Sequence, residues 1–201
     1  MSETLYEVKN SGTSLLKDRG SKFHGVVHPC HDLTQAQVYL EEIKRQFHDA
    51  RHHCYAYRLG KLGDTSYSTD DGEPAHSAGD PILGAIKSAQ LTNVWVGVIR
   101  YFGGTKLGVR GLIEAYRGAA EEALLQVNRQ AVLLQAKFEL IYPYERTSEI
   151  RRILHPYPCE EQESVYTTRV RQVLGIQRDL YPELQAQLEA ADFDYQTISI
   201  D

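Results

Sequence analysis

The pattern of apolar and polar residues predicts short strands and one amphipathic helix in the first third of the chain. Alternating or mainly apolar runs predict strands at residues 5–8, 14–17, 22–28 and 53–59. A helix is predicted over residues 32–50, because apolar residues recur there at steps of three and four. These residues are Ala36, Leu40, Ile43, Phe47 and Ala50. Asp32 or Thr34 can cap the start of this helix.

The middle of the chain predicts a long loop, followed by a strand between two helices. Residues 61–79 are rich in Gly, Asp, Ser and Thr, and a loop of this length in a compact domain is usually functional or disordered. A short helix over residues 81–90 would carry Pro81 in its first turn. The apolar run 94–102 predicts a strand buried on both faces, and small residues at helical spacing predict a helix over 112–127.

From residue 131 onwards the pattern changes to strand, helix, strand, strand, helix, strand. The predicted ranges are 132–142, 144–154, 162–168, 169–174, 181–191 and 193–200. This order is typical of the ferredoxin-like arrangement. The sequence therefore predicts an α+β protein of two domains, residues 1–131 and 132–201.

The distribution of charge favours the same division. The chain has 201 residues, of which 42% are apolar, enough for ordinary cores, and its net charge of −5 gives no general attraction for nucleic acid. Lys plus Arg balance Asp plus Glu at 15 each over residues 1–131, but number 7 against 12 over residues 132–201. The excess of acid therefore lies in the second predicted domain.

The cysteines and the N-terminus predict a cytoplasmic protein. Cys30, Cys54 and Cys159 are odd in number and far apart, which argues against a disulfide scaffold or a structural zinc site and favours a reducing compartment. Met1 is followed by Ser-Glu-Thr rather than by a basic and apolar leader, and no run approaches the roughly 20 apolar residues that cross a bilayer. No membrane contact is expected.

The acidic run DDGEP at residues 70–74 allows two interpretations. Three carboxylates within four residues could hold a hard cation such as Mg²⁺. Asp-Gly is also a strong turn signal, and the carboxylates could instead accept backbone N–H bonds. Because EF-hand spacing is missing, the turn is the favoured interpretation.

Two further groups of residues allow catalytic or metal-binding interpretations. Ser77 lies in AHSAG, a partial match to the hydrolase motif G-x-S-x-G, but an acidic turn precedes it, so a capping role for the nearby polar groups is favoured. His and Cys residues could together bind a soft metal, although His52 and His53 point to opposite faces of a strand. These residues are His24, His28, Cys30, His31, His52, His53 and Cys54.

The glycine-rich stretch IRYFGGTKLGVRGLIEAY at residues 99–116 follows a predicted strand and precedes a predicted helix. Its glycine spacing fits neither the P-loop nor the dinucleotide-binding fingerprint. Glycines and the cations Arg100, Lys106 and Arg110 near a helix N-terminus favour a phosphate-type anion. The alternative is that the glycines only permit tight strand–helix packing and the cations are solvated. The residue pattern leaves both interpretations open.

Taken together, several ordered motifs resemble the IMPACT family, particularly its bacterial YigZ-like members. The motifs are KDRGSKF (17–23), ARHHCYAYR (50–58), DDGEP (70–74), AGDPIL (78–83) and VIRYFGGTKLG (98–108). The resemblance implies an N-terminal ribosomal-protein S5 domain 2-like domain, akin to domain IV of elongation factor G. It also implies a ferredoxin-like C-terminal domain akin to that factor's last domain.

The resemblance also bears on function. Eukaryotic relatives restrain the general amino-acid control pathway by binding its ribosome-associated activator, whereas bacterial members have no settled activity. The sequence departs from the usual family pattern at His76-Ser77, at Arg110 and at Glu114. Arg110 adds a cation to the glycine-rich stretch and Glu114 removes one, so the net attraction for phosphate changes little.

The expected function is non-enzymatic binding of RNA, the ribosome or a translation-associated protein, with a phosphate-type anion as a further candidate ligand and without a cofactor or metal. The expected binding surface consists of His52, Asp70, Asp71, Glu73, Arg100, Tyr101, Gly103, Gly104, Lys106, Gly108 and Arg110. One alternative is an enzyme for a small phosphorylated or peptide substrate, with His52 as base and Asp71 or Glu73 holding a cation. The other is a pure protein-interaction module.

Overall fold

A computed structural model describes residues 4–200 and divides the chain into two compact units, Met1–Val132 and Leu133–Asp201. The first unit contains the elements β1 Tyr6–Val8, β2 Gly12–Asp18, β3 Ser21–Pro29, α1 Leu33–Gln46, β4 His52–Leu59, β5 Thr65–Thr69, α2 Gly79–Ser88, β6 Leu91–Thr92, β7 Val94–Tyr101, α3 Gly108–Leu124 and β8 Arg129–Ala131. The second contains β9 Gln135–Pro143, α4 Thr147–Leu154, β10 Glu160–Tyr166, β11 Arg169–Gln177, α5 Tyr181–Ala190 and β12 Asp194–Ile200.

The main sheet of the first unit has the order β2-β3-β7-β4-β5, with every neighbouring pair antiparallel. Strand β7 lies at its centre, which explains why its sequence is almost continuously apolar. Val94, Val96 and Val98 belong to a core with α2 and α3, whereas Trp95 and Ile99 belong to a core with α1. The prediction that this strand is buried on both faces is confirmed.

The alternation of side chains along β7 also determines on which side of the sheet its last residues lie. Arg100 continues the series of even-numbered valines and therefore lies on the α3 side of the sheet, while Tyr101 lies on the α1 side. In the register, Arg100 is opposite His52 of β4 and Phe23 of β3. Residues that are far apart in sequence thus meet at this end of the sheet.

The prediction of one uninterrupted loop over residues 61–79 is wrong. Strand β5 lies within that range and pairs with β4 at the sheet edge. Its central residue Tyr67 faces Tyr57, with the rings stacked at 5.6 Å between centroids. Such an edge strand is stabilised by ladder hydrogen bonds and by the packing of Tyr67 on Tyr57 and Tyr55 rather than by burial, so it carries little apolar pattern.

Element ends differ from the predictions by a few residues. Helix α1 ends at Gln46 rather than at residue 50, although Asp32 caps its start as predicted, accepting the Gln35 N–H at 2.8 Å. Helices α2 and α3 begin at Gly79 and Gly108, earlier than predicted. The sequence does not predict the small sheet of order β6-β1-β8 as a unit, because each of its three strands has only two or three residues.

The second unit is a four-stranded antiparallel sheet with two helices. Its order, β10-β11-β9-β12, together with the chain order β-α-β-β-α-β, is the ferredoxin-like arrangement. Its core is formed by alternating residues of β9 and β11 with α4 and α5, including Phe138, Leu140 and Leu184. The predicted two-domain α+β fold is confirmed. Across residues 4–200 no helix combines the length and apolarity that a membrane crossing requires.

Candidate functional site

The acidic run is a turn that holds the start of α2. Asp70 Oδ1 accepts the N–H groups of Ala78 at 2.9 Å and Gly79 at 2.8 Å, and Asp70 Oδ2 accepts the His76 N–H at 2.8 Å. Both oxygens of this half-buried carboxylate are therefore engaged by backbone donors. The turn interpretation is confirmed, and the structure gives Asp70 a role in positioning the helix start.

Asp71 and Gly72 position His52. The Asp71 carboxylate accepts the His53 N–H at 2.6 Å, and the Asp71 carbonyl lies 2.8 Å from His52 Nδ1. Gly72 has φ +85°, and a Cβ on it would contact the His52 ring. The start of β4 is thus fastened to the acidic turn, and His52 is held at the edge of the site.

The third carboxylate of the turn forms a buried ion pair. Glu73 Oε1 accepts hydrogen bonds from Arg100 Nη1 at 2.7 Å and from the Tyr116 hydroxyl at 2.9 Å. The Arg100 and Glu73 side chains are only 8% and 4% exposed. The expectation that Arg100 supplies a free charge to an anion is therefore wrong, because Glu73 already neutralises it.

The ion pair does not use every N–H donor of the Arg100 guanidinium. Arg100 Nε is buried and has no hydrogen-bond partner among residues 4–200. The Arg100 guanidinium lies 5.6 Å from the Phe23 ring centroid and 5.5 Å from that of Phe102. The guanidinium is therefore close to two aromatic rings and keeps one unused hydrogen-bond donor.

Neither Cys54 nor Tyr116 is poised for acid–base chemistry near neutral pH. Burial raises the pKa of the Cys54 thiol to about 12, and the thiol donates to the Asp70 carbonyl at 3.0 Å. Burial, followed by the influence of Cys54 and Glu73, also raises the pKa of Tyr116. Tyr116 lies on the buried face of α3, and no sequence motif indicates its bond to Glu73.

The hydrolase and soft-metal interpretations do not fit the local bonding. Ser77 is buried and donates to the Pro74 carbonyl at 2.6 Å, whereas the nucleophile of the hydrolase motif must be exposed. His53 Nε2 lies 3.0 Å from the Phe47 carbonyl, so it is engaged away from His52. Within the described residues, no group of three or more His, Cys, Asp or Glu side chains is placed to hold a metal ion.

The glycines after β7 have two different roles. A Cβ on Gly103 would overlap the backbone of Gly20 and Ser21, so this glycine permits close packing. Gly104 and Gly108 have φ +88° and +73°, and a Cβ on either would meet open space. The packing interpretation therefore holds for Gly103, while Gly104 and Gly108 leave the backbone accessible at the start of α3.

The predicted cations also divide into two groups. Arg110 pairs with Glu114 at 3.0 Å one turn along α3, and both side chains are mostly exposed. Lys106 is exposed beside a cavity, as is Arg51, which no motif had marked as a site residue. Among the described residues, the structure gives neither Lys106 nor Arg51 an ion-pair partner.

A cavity of about 850 Å³ lies at the end of β7. It is lined by Asp49, Ala50, Arg51, His52, Glu73, Pro74, Arg100, Tyr101, Phe102, Lys106, Leu107, Gly108, Val109 and Leu112. It therefore combines a buried ion pair, an apolar wall and a rim with two cations, Arg51 and Lys106, and one carboxylate, Asp49. Of the predicted site residues, Asp70, Asp71, Gly103, Gly104 and Arg110 do not line it.

Two aromatic side chains separate this cavity from a smaller one. Tyr101 donates its hydroxyl to Asp49 at 2.6 Å, and Phe102 is 58% exposed. The second cavity, of about 370 Å³, lies beside them and includes Lys22 and His24 in its lining. We call Lys22, Arg51, His52, Tyr101, Phe102 and Lys106 the aromatic–cation face.

Comparison with known proteins shows to which family the chain that carries this site belongs. The family model described as the Impact N-terminal domain matches residues 19–124, more than half of the chain. This chain belongs to the IMPACT family. The resemblance seen in the ordered motifs is thus confirmed, and every residue of the aromatic–cation face lies within the matched range.

Two relatives and one solved structure extend the comparison. An IMPACT family member of Haemophilus influenzae is 31% identical over 158 residues, 78% of this chain and 77% of its own. The IMPACT family member YigZ of Escherichia coli is 34% identical over 121 residues, 59% of each chain. A crystal structure of a hypothetical protein has a TM-score of 0.66 and 25% identity, covering 100% of this chain and 99% of that one. The likeness to the solved structure thus includes both units of this IMPACT-family chain.

Proposed function

We propose that this protein binds RNA of the translation machinery through the aromatic–cation face, without catalysing a reaction. The observation that carries the proposal is the exposed Phe102 ring between cations on both sides of it. Single-stranded RNA is commonly bound by aromatic rings that stack on bases and cations that contact phosphates. A protein with this role would act in the cytoplasm.

The start of α3 adds a second source of attraction for phosphate. Its first turn contains no acidic residue, and Leu107 before it makes no side-chain capping bond, so helix N–H groups are available there. The exposed Gly104 and Gly108 let a phosphate approach the backbone closely. Lys106 lies between them in sequence and brings a positive charge to the same place.

The enzymatic alternative receives less support from the bonding of its candidate groups. It needs Asp71 or Glu73 to hold a cation, yet Asp71 accepts a backbone N–H and Glu73 accepts bonds from Arg100 and Tyr116. Carboxylates committed in this way would have to give up those partners before they could bind a metal. Binding without turnover is therefore the better-supported function.

The test measures binding of fluorescently labelled single-stranded RNA of mixed sequence by anisotropy. If Lys22, Arg51 and Lys106 contact three phosphates, the logarithm of affinity should fall with the logarithm of salt with a slope of about −2. Affinity should then drop about 20-fold between roughly 50 and 200 mM salt. Lys106→Ala should weaken binding to all RNA sequences similarly and make the slope shallower.

The matched control is Arg129→Ala, which removes an exposed cation of β8, an element that does not line either cavity. It should leave affinity within about twofold of the unmodified protein. Absence of RNA binding at low salt would refute the proposal, as would an Arg129→Ala loss equal to that of Lys106→Ala. Retention of a protein partner after every cation of the face is neutralised would favour the protein-interaction alternative instead.

A further inference from the structure

We infer that the 850 Å³ cavity receives one unstacked nucleotide of the bound RNA, with the base inside and the phosphate at the start of α3. This inference rests on the proposed function and names the part of RNA that the site recognises. The cavity brings three kinds of group together: one unused buried donor, one flat apolar wall and one cationic rim. A nucleotide has the matching parts in one molecule, namely base-edge acceptors, an aromatic ring and a phosphate.

The buried donor is Arg100 Nε. Glu73 holds Nη1 of the same guanidinium, while Nε has no partner among residues 4–200 although the side chain is only 8% exposed. Leaving a buried N–H unbonded is unfavourable. Nε has almost no accessible surface, so an acceptor reaches it only after the neighbouring side chains shift, and it is then bound preferentially. Arginine most often contacts the O6 and N7 acceptors of guanine in nucleic acids, which makes guanine the favoured base.

The apolar wall suits a flat ring. Phe102 is 58% exposed, and its centroid lies 5.5 Å from the Arg100 guanidinium. A base that takes the place of the guanidinium over this ring would stack on Phe102 with its edge towards Arg100. Leu107 and Leu112 supply further apolar surface to the lining. The ordering of Arg100 by Glu73 means that little conformational freedom is lost when the base binds.

The rim suits the phosphate. Lys106 and Arg51 line the cavity without ion-pair partners among the described residues, and Gly108 opens the start of α3. Positive charge and helix N–H groups at one edge give the nucleotide a single orientation, with its phosphate outward. The cavity volume also lies within the roughly 300–1,000 Å³ range of small-ligand sites, so the whole nucleotide can enter.

The test is an NMR titration of the ¹⁵N-labelled full chain with guanosine 5′-monophosphate, ribose 5-phosphate and inorganic phosphate. The guanine nucleotide should shift the Arg100 Nε–Hε resonance and the backbone signals of Phe102 and Lys106. The two phosphates without a base should shift Lys106 and the start of α3 but leave Arg100 Nε–Hε in place. Equal shifts with all three compounds, or none with the nucleotide at millimolar concentration, would overturn base recognition.

A pair of substitutions tests the stacking wall. Phe102→Ala removes an exposed side chain and should weaken nucleotide binding by about 5- to 150-fold, the usual range for loss of one base–aromatic stack. Leu125→Ala removes an apolar side chain just after α3 that is 72% exposed, and it should leave affinity unchanged. Equal affinity of the Phe102→Ala variant and the unmodified protein would overturn the assignment of the base to this cavity.

The same variants separate failure of this inference from failure of the proposed function. If long RNA binds in a salt-dependent way but the nucleotide leaves Arg100 unshifted, RNA binding stands and the nucleotide pocket is wrong. If the nucleotide shifts Arg100 while long RNA does not bind, the pocket stands as a small-ligand site and the proposed function is wrong.

Discussion

The ion pair between Arg100 and Glu73 decides how much of the site's charge is available to a ligand. The sequence shows two oppositely charged residues 27 positions apart, and nothing in their spacing indicates that they meet. They meet because β7 and the acidic turn are both brought to one end of the sheet, on the α3 side. Because both side chains are buried, loss of either partner would leave the other charge without compensation.

Removing the carboxylate charge should therefore be costly. Glu73→Gln leaves the Arg100 guanidinium buried without a counter-charge and should lower the free energy of unfolding by about 3–5 kcal/mol, measured by urea denaturation. Glu114→Gln is the matched control, because its partner Arg110 is 93% exposed and the change should cost less than about 0.5 kcal/mol. Equal losses for the two variants would contradict the burial argument.

A second residue-scale prediction concerns pH. Burial lowers the pKa of His28, with Glu42 opposing the shift, and the ring stacks on Tyr39 at 4.3 Å between centroids. The unfolded chain therefore takes up a proton below about pH 6.5 that the folded chain resists, so stability should fall as pH decreases from about 7 to 5.5.

His28→Phe keeps an aromatic ring against Tyr39 and removes the titrating group. Its urea midpoint should fall less over the same pH interval than that of the unmodified protein, although it loses the bond to Ser11 at both pH values. Burial also lowers the pKa of His24, followed by the influence of Lys22, so part of the pH dependence should remain. An unchanged pH dependence in the variant would rule out His28 as its source.

At the residue scale, sequence reasoning identifies the positions of the site better than their roles. Ordered motifs pointed to Glu73, Arg100 and Lys106, and all three line the cavity. The chemistry of these motifs did not reveal that Arg100 is neutralised or that Phe102 is the exposed ring. Both depend on depth in the fold, which is set by contacts between distant segments rather than by local residue type.

At the element scale, strand β5 shows what periodicity cannot detect. Its residues Thr65–Thr69 are polar and partly exposed, so no apolar alternation marks them. The strand forms because the edge of β4 offers backbone hydrogen-bonding groups to it, and because Tyr57 of β4 packs against Tyr67. Strand β7 was predictable for the opposite reason, since burial on both faces leaves a long apolar run in the sequence.

The cross-strand tyrosines give a test at this scale. Tyr67→Ser removes the ring stacked on Tyr57 and should lower the free energy of unfolding by about 1 kcal/mol in urea denaturation. Thr65→Ser at the end of the same strand should change the free energy of unfolding by only a few tenths of a kcal/mol. If the two changes have the same effect, the aromatic pair does not stabilise the edge strand.

At the scale of the whole molecule, the two units could be anticipated because each has its own kind of pattern. The second unit has the order of a ferredoxin-like fold in both the sequence and the sheet. The first unit has equal numbers of cations and carboxylates, so net charge did not point to a binding surface. The aromatic–cation face becomes visible only when carboxylates such as Asp70 and Glu73 are found to be bonded within the fold.

The most direct test of RNA binding at this face is photo-cross-linking of RNA containing 4-thiouridine to the full chain, followed by mass spectrometry of the cross-linked peptides. RNA bound at this face should cross-link to Tyr101, Phe102 or Lys106, and these cross-links should be lost in the Phe102→Ala, Lys106→Ala double variant. Cross-links confined to residues 133–200, or unchanged by the double variant, would contradict the assignment of RNA binding to the aromatic–cation face.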